Sequence, residues 1–157
     1  MHSWRTLILP HLDQQRLYET IDLSKAWDDP ANAAAYETMI PTYLCPSIQI
    51  PEQHTTYLAV VASDSCFRPT EPRLFSEITD EHRETLMVIE VGPGQAVHWM
   101  SPLDADEKLV LSLGPKSKLP HTGWVHAAFV DGSIHFLADE MPAAERRERI
   151  SISGNDD

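Results

Sequence analysis

The apolar positions near the N-terminus follow the spacing of a helix. They recur at roughly helical intervals along one face: Leu9, Leu12, Leu17 and Ile21. This spacing predicts a helix from about Pro10 to Asp22, with the proline in its first turn. A second, shorter helix is predicted to begin at Pro30, where Asp29 can cap the free amides, and to end at Pro41.

Further along, the apolar residues form continuous runs that are typical of buried strands. TYLAVVA (56–62), TLMVIEV (85–91) and the shorter AVHWM (96–100) are the three runs. PAAERRERI, with Pro142 at its start, predicts a surface helix. Because the helices come first and no regular strand-helix alternation follows, the pattern predicts a single α+β domain over residues 1–157 with a small antiparallel sheet.

The strongest local signal is HTGWVHAAFVDGSIHF, residues 121–136. An Asp-Gly pair between two alternating apolar runs is typical of a two-residue hairpin loop, so Asp131 and Gly132 are predicted to have a structural role in the turn. Opposite residues of a hairpin share a face. That loop places His126 and His135 as diagonal neighbours on the outer face, within reach of a shared ion. The predicted core face holds Val125, Ala127, Phe129, Ile134 and Phe136.

Composition and charge narrow the classes of function. Hydrophobic residues make up 42% of the chain and charged residues 23%, which is usual for a globular protein. Lys and Arg number 12 against 24 Asp and Glu, so the formal net charge is −12. A phosphate backbone would be repelled by this charge, and nucleic acid is therefore excluded as the main partner.

Two groups of side chains are candidates for metal binding. Asp104, Asp106 and Glu107 offer hard oxygen atoms to calcium, but the loop lacks the glycine and the distal glutamate of an EF-hand. His126 and His135 would need a third protein ligand to hold zinc. The sequence favours a plain acidic loop and a half-exposed polar face over these sites, and it predicts no cofactor.

No catalytic constellation stands out, and the chain is predicted not to be an enzyme. A Gly-x-Ser-x-Gly elbow is absent from the sequence, and Cys45 and Cys66 have no catalytic context. Whether these two cysteines form a disulfide is left open. A hydrolase with His121 as its base and Asp131 as the orienting acid is the less favoured alternative, because Asp131 is already committed to the turn.

The spacing of His121, nine residues and then Asp131-Gly132 resembles the C-terminal motif of a large bacterial family of prepilin-like proteins of unknown function (DUF1559). The blocks SWRTLILPHLDQQRLYETIDL, WDDPAN, YLCPS and WMSPLD resemble other blocks of that family in the same order. One departure is clear. Where the family has a turn of small residues after Thr-Asp, this chain continues from Thr79 and Asp80 into the charged EHRE of residues 81–84.

The resemblance implies a type IV pilin-like or pseudopilin-like head, with an N-terminal helix packed on a small antiparallel sheet and a hairpin at the C-terminus. It implies a place in the cell envelope or on the extracellular surface. Membrane association would occur only through an N-terminal leader and transmembrane half-helix that this sequence lacks.

The function predicted on this basis is a non-catalytic structural or interaction module of the bacterial cell envelope, with protein partners or self-assembly. An ion- or ligand-binding head is the alternative. Related pseudopilins bind calcium in acidic loops, which adds some support to residues 104–107.

Overall fold

The computed structural model of the protein describes residues 1–154. Within that part, the chain divides into two compact units. The first unit consists of residues 1–56 and 95–103, and the second of residues 57–94 together with the described residues from 104 onward. The expectation of one domain over residues 1–157 stays a prediction.

Both units are built from short elements. The helices are α1 (Trp4–Leu7), α2 (Gln15–Tyr18), α3 (Ala33–Tyr36), α4 (Glu107–Ser112) and α5 (Ala143–Ile150). The strands are β1 (His54–Thr55), β2 (Tyr57–Val61), β3 (Leu86–Glu90), β4 (Val97–His98), β5 (Ala105–Asp106), β6 (Trp124–Phe129) and β7 (Ile134–Ala138). The 3-10 turns between them are Leu9–Leu12, Pro30–Asn32, Pro41–Tyr43, Phe75–Glu77 and Pro93–Gln95. This mixture of helix and sheet is compatible with the predicted α+β class.

The predicted helix from Pro10 to Asp22 is wrong as a single element. The chain instead forms the turn Leu9–Leu12 and then helix α2, with Asp13 between them at a left-handed φ of 58°. Aspartate adopts this conformation more readily than most residues, because its short side chain can bond locally. The N–H of Asp13 then bonds to the Leu9 carbonyl and ends the turn.

The other predicted elements are largely confirmed. Asp29 caps the next helical segment, since its Oδ1 accepts a hydrogen bond of 2.9 Å from Ala31 N. That segment ends with α3 at Tyr36, before the predicted end at Pro41. The three apolar runs form β2, β3 and the two-residue β4, and the helix predicted after Pro142 is α5.

The first unit has its own core and a buried arginine, Arg5. Arg5 is fully buried and donates to three carbonyl oxygens, those of Trp99 (3.1 Å), Ser101 (2.8 Å) and Leu103 (2.9 Å). These bonds join α1 to the segment after β4, which itself pairs with β1 in a two-stranded ladder. The buried core residues are Leu9, Ile21, Ala35, Ile40, Tyr43, Trp99 and Met100.

The second unit contains a five-stranded sheet in the order β5-β2-β3-β6-β7. The pairs β2-β3, β3-β6 and β6-β7 are antiparallel, as predicted, and only the short β5 runs parallel to β2. Helices α4 and α5 contact each other and the sheet. Arg146 of α5 is buried and donates to the carbonyl oxygens of Leu113, Ala138 (3.2 Å) and Asp139 (2.8 Å).

The helices α1 to α3 belong to the first unit and the five-stranded sheet to the second. The predicted packing of an N-terminal helix on the sheet therefore stays a prediction.

The turn of the β6-β7 hairpin differs from the predicted two-residue loop. Gly132 N donates to Phe129 O at 2.9 Å, and Phe129 N donates to Ser133 O at 2.9 Å, so three residues lie in the loop. Gly132 has a φ of 84°, whereas the only described non-glycine residue with a positive φ is Asp13. Asp131 is therefore not left-handed, as a type I′ turn would require. The geometry is that of a type I turn followed by a glycine bulge.

This extra loop residue shifts the predicted strand pairing by one position. His126 pairs with Phe136 and Ala127 with His135, so His126 and His135 lie on opposite faces of the hairpin. The predicted outer-face histidine pair is thus wrong. Ile134 and Phe136, predicted in the core, are 68% and 66% exposed. A slip of one residue reverses the faces of a whole strand. The buried core-side residues of the hairpin are Val125, Ala127, Phe129 and Leu137.

Candidate functional site

A buried carboxylate lies at the end of β3. Glu90 is the last residue of β3 and follows four apolar residues. Its side chain is 0% exposed, although it is ionisable. Ile89 pairs with Ala127 in the antiparallel ladder, so the next position places Glu90 beside His126. Because His126 in turn pairs with Phe136, three neighbouring strands bring an acid, an imidazole and an aromatic ring into one row on the outer face of the sheet.

One carboxylate oxygen of Glu90 lies close to three nitrogen atoms of His121 and His126. Glu90 Oε2 lies 2.9 Å from His126 Nδ1, 3.3 Å from the His126 backbone N and 3.3 Å from His121 Nε2. The other oxygen, Oε1, is also buried and has no hydrogen-bond partner among residues 1–154. We refer to Glu90, His121 and His126 as the Glu90 site.

A tight turn brings His121 to this site. The chain reverses from His121 to Trp124, which form an isolated antiparallel bridge, and Gly123 in the turn has a φ of 85°. A φ of this sign favours glycine, because other residues meet a steric penalty there. The backbone O of Gly123 accepts from Asp139 N at 2.9 Å, which ties the turn to the end of β7.

Aromatic rings surround the two imidazoles. The rings of His121 and Trp124 stack with centroids 4.2 Å apart and an angle of 4°, while the rings of His121 and His126 are perpendicular at 4.8 Å. The ring centroid of Phe136 lies 4.3 Å from that of Trp124 and 5.2 Å from that of His126. Solvent reaches the site from the His126 side, because the side chain of His126 is 37% exposed and that of His121 only 15%.

Asp131 and Gly132 do have the predicted structural role in the hairpin turn. Asp131 Oδ1 accepts from Ser133 N at 2.9 Å and from Ser133 Oγ at 2.6 Å. The Ser133 hydroxyl bond contributes most to lowering the pKa of the Asp131 carboxyl, and the Ser133 amide adds to it. This carboxylate is therefore occupied by its own turn.

The geometry does not support a base and orienter formed by His121 and Asp131. Strand β6 separates the two residues, and at roughly 3.3 Å per residue its length puts them on the order of 17 Å apart. The carboxylate beside His121 is Glu90. Sequence reasoning missed Glu90, and the signal that could have found it is the ionisable residue in the apolar run TLMVIEV.

His135 points to the other face of the sheet from the Glu90 site. There it lines a shallow groove of about 500 Å³ together with Leu137 and Arg149. Its Nε2 lies 3.0 Å from Ser133 Oγ.

The three carboxylates of the predicted calcium loop each contact a different part of the second unit. Asp104 Oδ1 accepts from Ala59 N at 2.9 Å, and Asp106 Oδ1 caps helix α4 through Leu109 N at 2.7 Å. The third carboxylate, that of Glu107, lies 3.0 Å from Arg147 Nε. These contacts account for the acidic residues without an ion, and calcium binding by this loop stays a prediction.

His98, a buried histidine of the first unit, has a hydrogen bond at each of its two ring nitrogens. His98 Nε2 lies 3.0 Å from the Tyr36 carbonyl and Nδ1 accepts from Met100 N at 3.1 Å, which defines a neutral ring. Burial is the main cause of the lowered pKa of His98, and it outweighs the bond to Tyr36. His98 is therefore a structural residue of the core.

Cys45 and Cys66 are both buried, and they do not form a disulfide with each other. Burial raises the pKa of Cys66 to about 12, so its thiol is protonated at neutral pH. A protonated, buried thiol is a poor nucleophile.

Comparison with known proteins gives a match to a family model over part of the chain. Residues 1–65 match the model of a family described as a protein of unknown function (DUF1559). This match supports the resemblance for the first part of the chain. It ends before Glu90, His121 and the Asp-Gly hairpin, so the prepilin-like C-terminal motif stays a prediction.

No curated protein and no solved structure matches the chain. Among the described residues, no helix is long and apolar enough to cross a membrane.

Proposed function

We propose that this chain is a non-catalytic interaction module of the bacterial cell envelope, with a pseudopilin-like head, and that it assembles with a second copy of itself through strand β7. The envelope location and the pilin-like class rest on the resemblance of the sequence motifs to the prepilin-like family, whereas the match over residues 1–65 supports membership in the family of unknown function alone. The single observation that carries the proposed assembly is the exposed, uncharged edge strand formed by residues 134–138.

The backbone of β7 offers hydrogen-bonding groups on its open side. Phe129 and Ser133 bond directly across the hairpin, so by antiparallel alternation His135 and Leu137 also bond towards β6. The N–H and C=O groups of Ile134 and Phe136 then point away from β6. Because β7 is the last strand in the sheet order, these groups face the edge.

The side chains of β7 lack the features that normally protect an edge. Natural edge strands carry lysines, prolines or bulges that prevent pairing with another chain. This strand reads IHFLA and has no formally charged residue, in a chain with a net charge of −12. Ile134 and Phe136 expose about two thirds of their surface on the same face. An apolar, uncharged edge adds no direct charge repulsion when two acidic copies approach each other there.

The open groups of β7 are self-complementary about His135. A two-fold axis at this residue sets Ile134 of each copy opposite Phe136 of the other, which forms about four backbone hydrogen bonds across the edge. The two exposed apolar side chains of each copy then cover those of the other. The carbonyl of Ala138 already accepts from Arg146, so the paired segment ends there.

Sedimentation equilibrium over a range of concentrations tests the assembly. We expect a reversible dimer, and we expect Phe136→Lys to shift the equilibrium to monomer by placing two ammonium groups in the interface. Leu74→Lys is the matched control, because Leu74 is a 70% exposed apolar residue outside the hairpin. A monomer at all concentrations, or an equal effect of both lysines, would contradict the proposal.

Cysteine cross-linking tests the register. His135→Cys should form an intermolecular disulfide under mild oxidation, because residues facing each other at a non-hydrogen-bonded position have Cα atoms about 4.5 Å apart. Ser133→Cys is the control. In the proposed register the two introduced cysteines would lie roughly 13 Å apart. Equal cross-linking of both variants would refute the two-fold axis at His135.

A further inference from the structure

We propose that mild acid dissociates the β7 dimer, because the two-fold axis sets the imidazole of His135 in one copy directly opposite the same imidazole in the other. This inference rests on the assembly proposed above and adds its regulation by pH. His135 is the only titratable residue of β7. At a non-hydrogen-bonded position of an antiparallel pair, the two Cα atoms are about 4.5 Å apart and the side chains are close. The centre of the dimer is therefore a pair of identical titratable groups.

The hydrogen bonds of His135 show which ring nitrogen takes up the added proton. Nε2 lies 3.0 Å from Ser133 Oγ, and that hydroxyl donates its own hydrogen to Asp131 Oδ1. Ser133 Oγ is then the acceptor towards His135, so Nε2 carries the hydrogen of the neutral ring. The other nitrogen, Nδ1, has no hydrogen-bond partner among residues 1–154. Because His135 is exposed, a proton from solvent reaches Nδ1 and makes the ring a cation.

The second copy offers nothing that would compensate this positive charge. Like charges directly opposite each other in an antiparallel pair are destabilising. The residues of the second copy that lie diagonal to His135 are Ser133 and Leu137, and both are uncharged. Protonation of the two rings therefore opposes association.

Charged groups also surround His135 within its own copy. They come from the segment before β3, from the hairpin loop and from helix α5, and they are Arg83, Glu84, Asp131, Arg149 and the ion-pair partner of Arg149, Glu145. These groups surround each ring in the monomer and in the dimer alike. What association adds is the second imidazole.

The net charge of the protein predicts the opposite pH dependence. Each copy has a formal charge of −12 with its eight histidines neutral, and protonation of histidines makes this charge less negative. Two acidic copies then repel each other less at lower pH. A dimer that weakens as the pH falls is thus a specific sign of the His135 pair.

Sedimentation equilibrium at about pH 7.5 and about pH 5.5 tests this response. A histidine of ordinary pKa, about 6.5, is about 10% protonated at the first pH and about 90% at the second. If the dimer binds no proton at either His135, its dissociation constant rises about 100-fold between the two pH values. If the pair binds a single proton, the rise is about sixfold.

His135→Gln is the variant that assigns the response to this residue. It should not weaken on acidification, because glutamine cannot be protonated. His11→Gln is the matched control, since it removes an exposed histidine of the first unit, and it should keep the pH dependence of the unmodified protein. Circular dichroism at the lower pH verifies that each variant is folded. Should glutamine itself prevent association, His135→Thr takes its place, because threonine is uncharged and suits a strand.

The outcomes separate the pH response from the assembly. Absence of a dimer at the higher pH contradicts the assembly itself. A dimer that is equally strong or stronger at the lower pH overturns the pH response and leaves the assembly in place. The response is also overturned if His135→Gln weakens on acidification as much as the unmodified protein.

Discussion

Replacing Phe129 and Phe136 separately by alanine will have very different effects on stability, although both belong to the same hairpin. Phe129 is 1% exposed in the core of the second unit. A buried phenylalanine truncated to alanine typically costs about 3 to 5 kcal/mol, from the lost transfer free energy and from the cavity that remains. We expect Phe129→Ala to lower the free energy of unfolding by an amount in this range.

Phe136 is about two thirds exposed, so its removal should cost much less. Full burial of such a side chain is worth about 1.5 to 3 kcal/mol, and the buried third accounts for roughly 0.5 to 1 kcal/mol. Its ring contact with Trp124, at 4.3 Å, adds a few tenths. The expected total is about 1 kcal/mol.

Urea unfolding followed by circular dichroism, in dilute protein so that association does not contribute, measures both values. A similar m-value in the two variants would show that both unfold from the same state. If Phe136→Ala destabilised the protein as much as Phe129→Ala, Phe136 would lie in the core and the hairpin would have the two-residue loop. The register on which the proposed assembly depends would then be wrong.

Three further perturbations test other parts of the structure. Gly132→Ala should lower the free energy of unfolding by about 1 to 2 kcal/mol in urea titrations, because the φ of 84° disfavours a Cβ, and an unchanged stability would contradict the glycine bulge. The Cys66 thiol, with its pKa raised to about 12, should react with a thiol reagent only after unfolding, and rapid reaction of native protein at neutral pH would contradict its burial. His98 has a pKa lowered mainly by burial from the ordinary 6.5, so it binds a proton more readily in the unfolded chain. The contribution of His98 to the free energy of unfolding is therefore constant above about pH 6.5, and it falls as the pH drops below that value. We expect His98→Gln to flatten this decline in urea titrations between about pH 7.5 and 5. An unchanged slope would show that His98 does not cause the decline.

The hairpin shows how far local sequence information reaches. Asp131 and Gly132 mark the turn correctly, and Gly132 needs a positive φ in both a two-residue loop and a three-residue loop. The identity of Val130 does not decide whether it ends a strand or enters the loop, because valine suits either position there. The choice depends on the pairing of β6 with β3, where Val130 N donates to Thr85 O. That bond joins residues far apart in the chain.

The Glu90 site shows the same limit for function. His121 and His126 are visible as candidates in the sequence, and Glu90 is visible as an acid in an apolar run. Nothing in the spacing of Glu90 and His126 along the chain brings them together, whereas the sheet register places them side by side.

Features that depend on neighbouring residues can be predicted from the sequence alone. These are the mixed class of helix and strand, the positions of β2 and β3, the cap at Asp29 and the location of the hairpin turn. The face that each side chain of β7 occupies depends on pairing between distant strands, and the same pairing groups His126 with Glu90 and His121 instead of with His135. Side chains in a strand alternate between the two faces, so one residue more or less in a loop reverses every side chain after it. Only pairing with distant strands selects between the two arrangements.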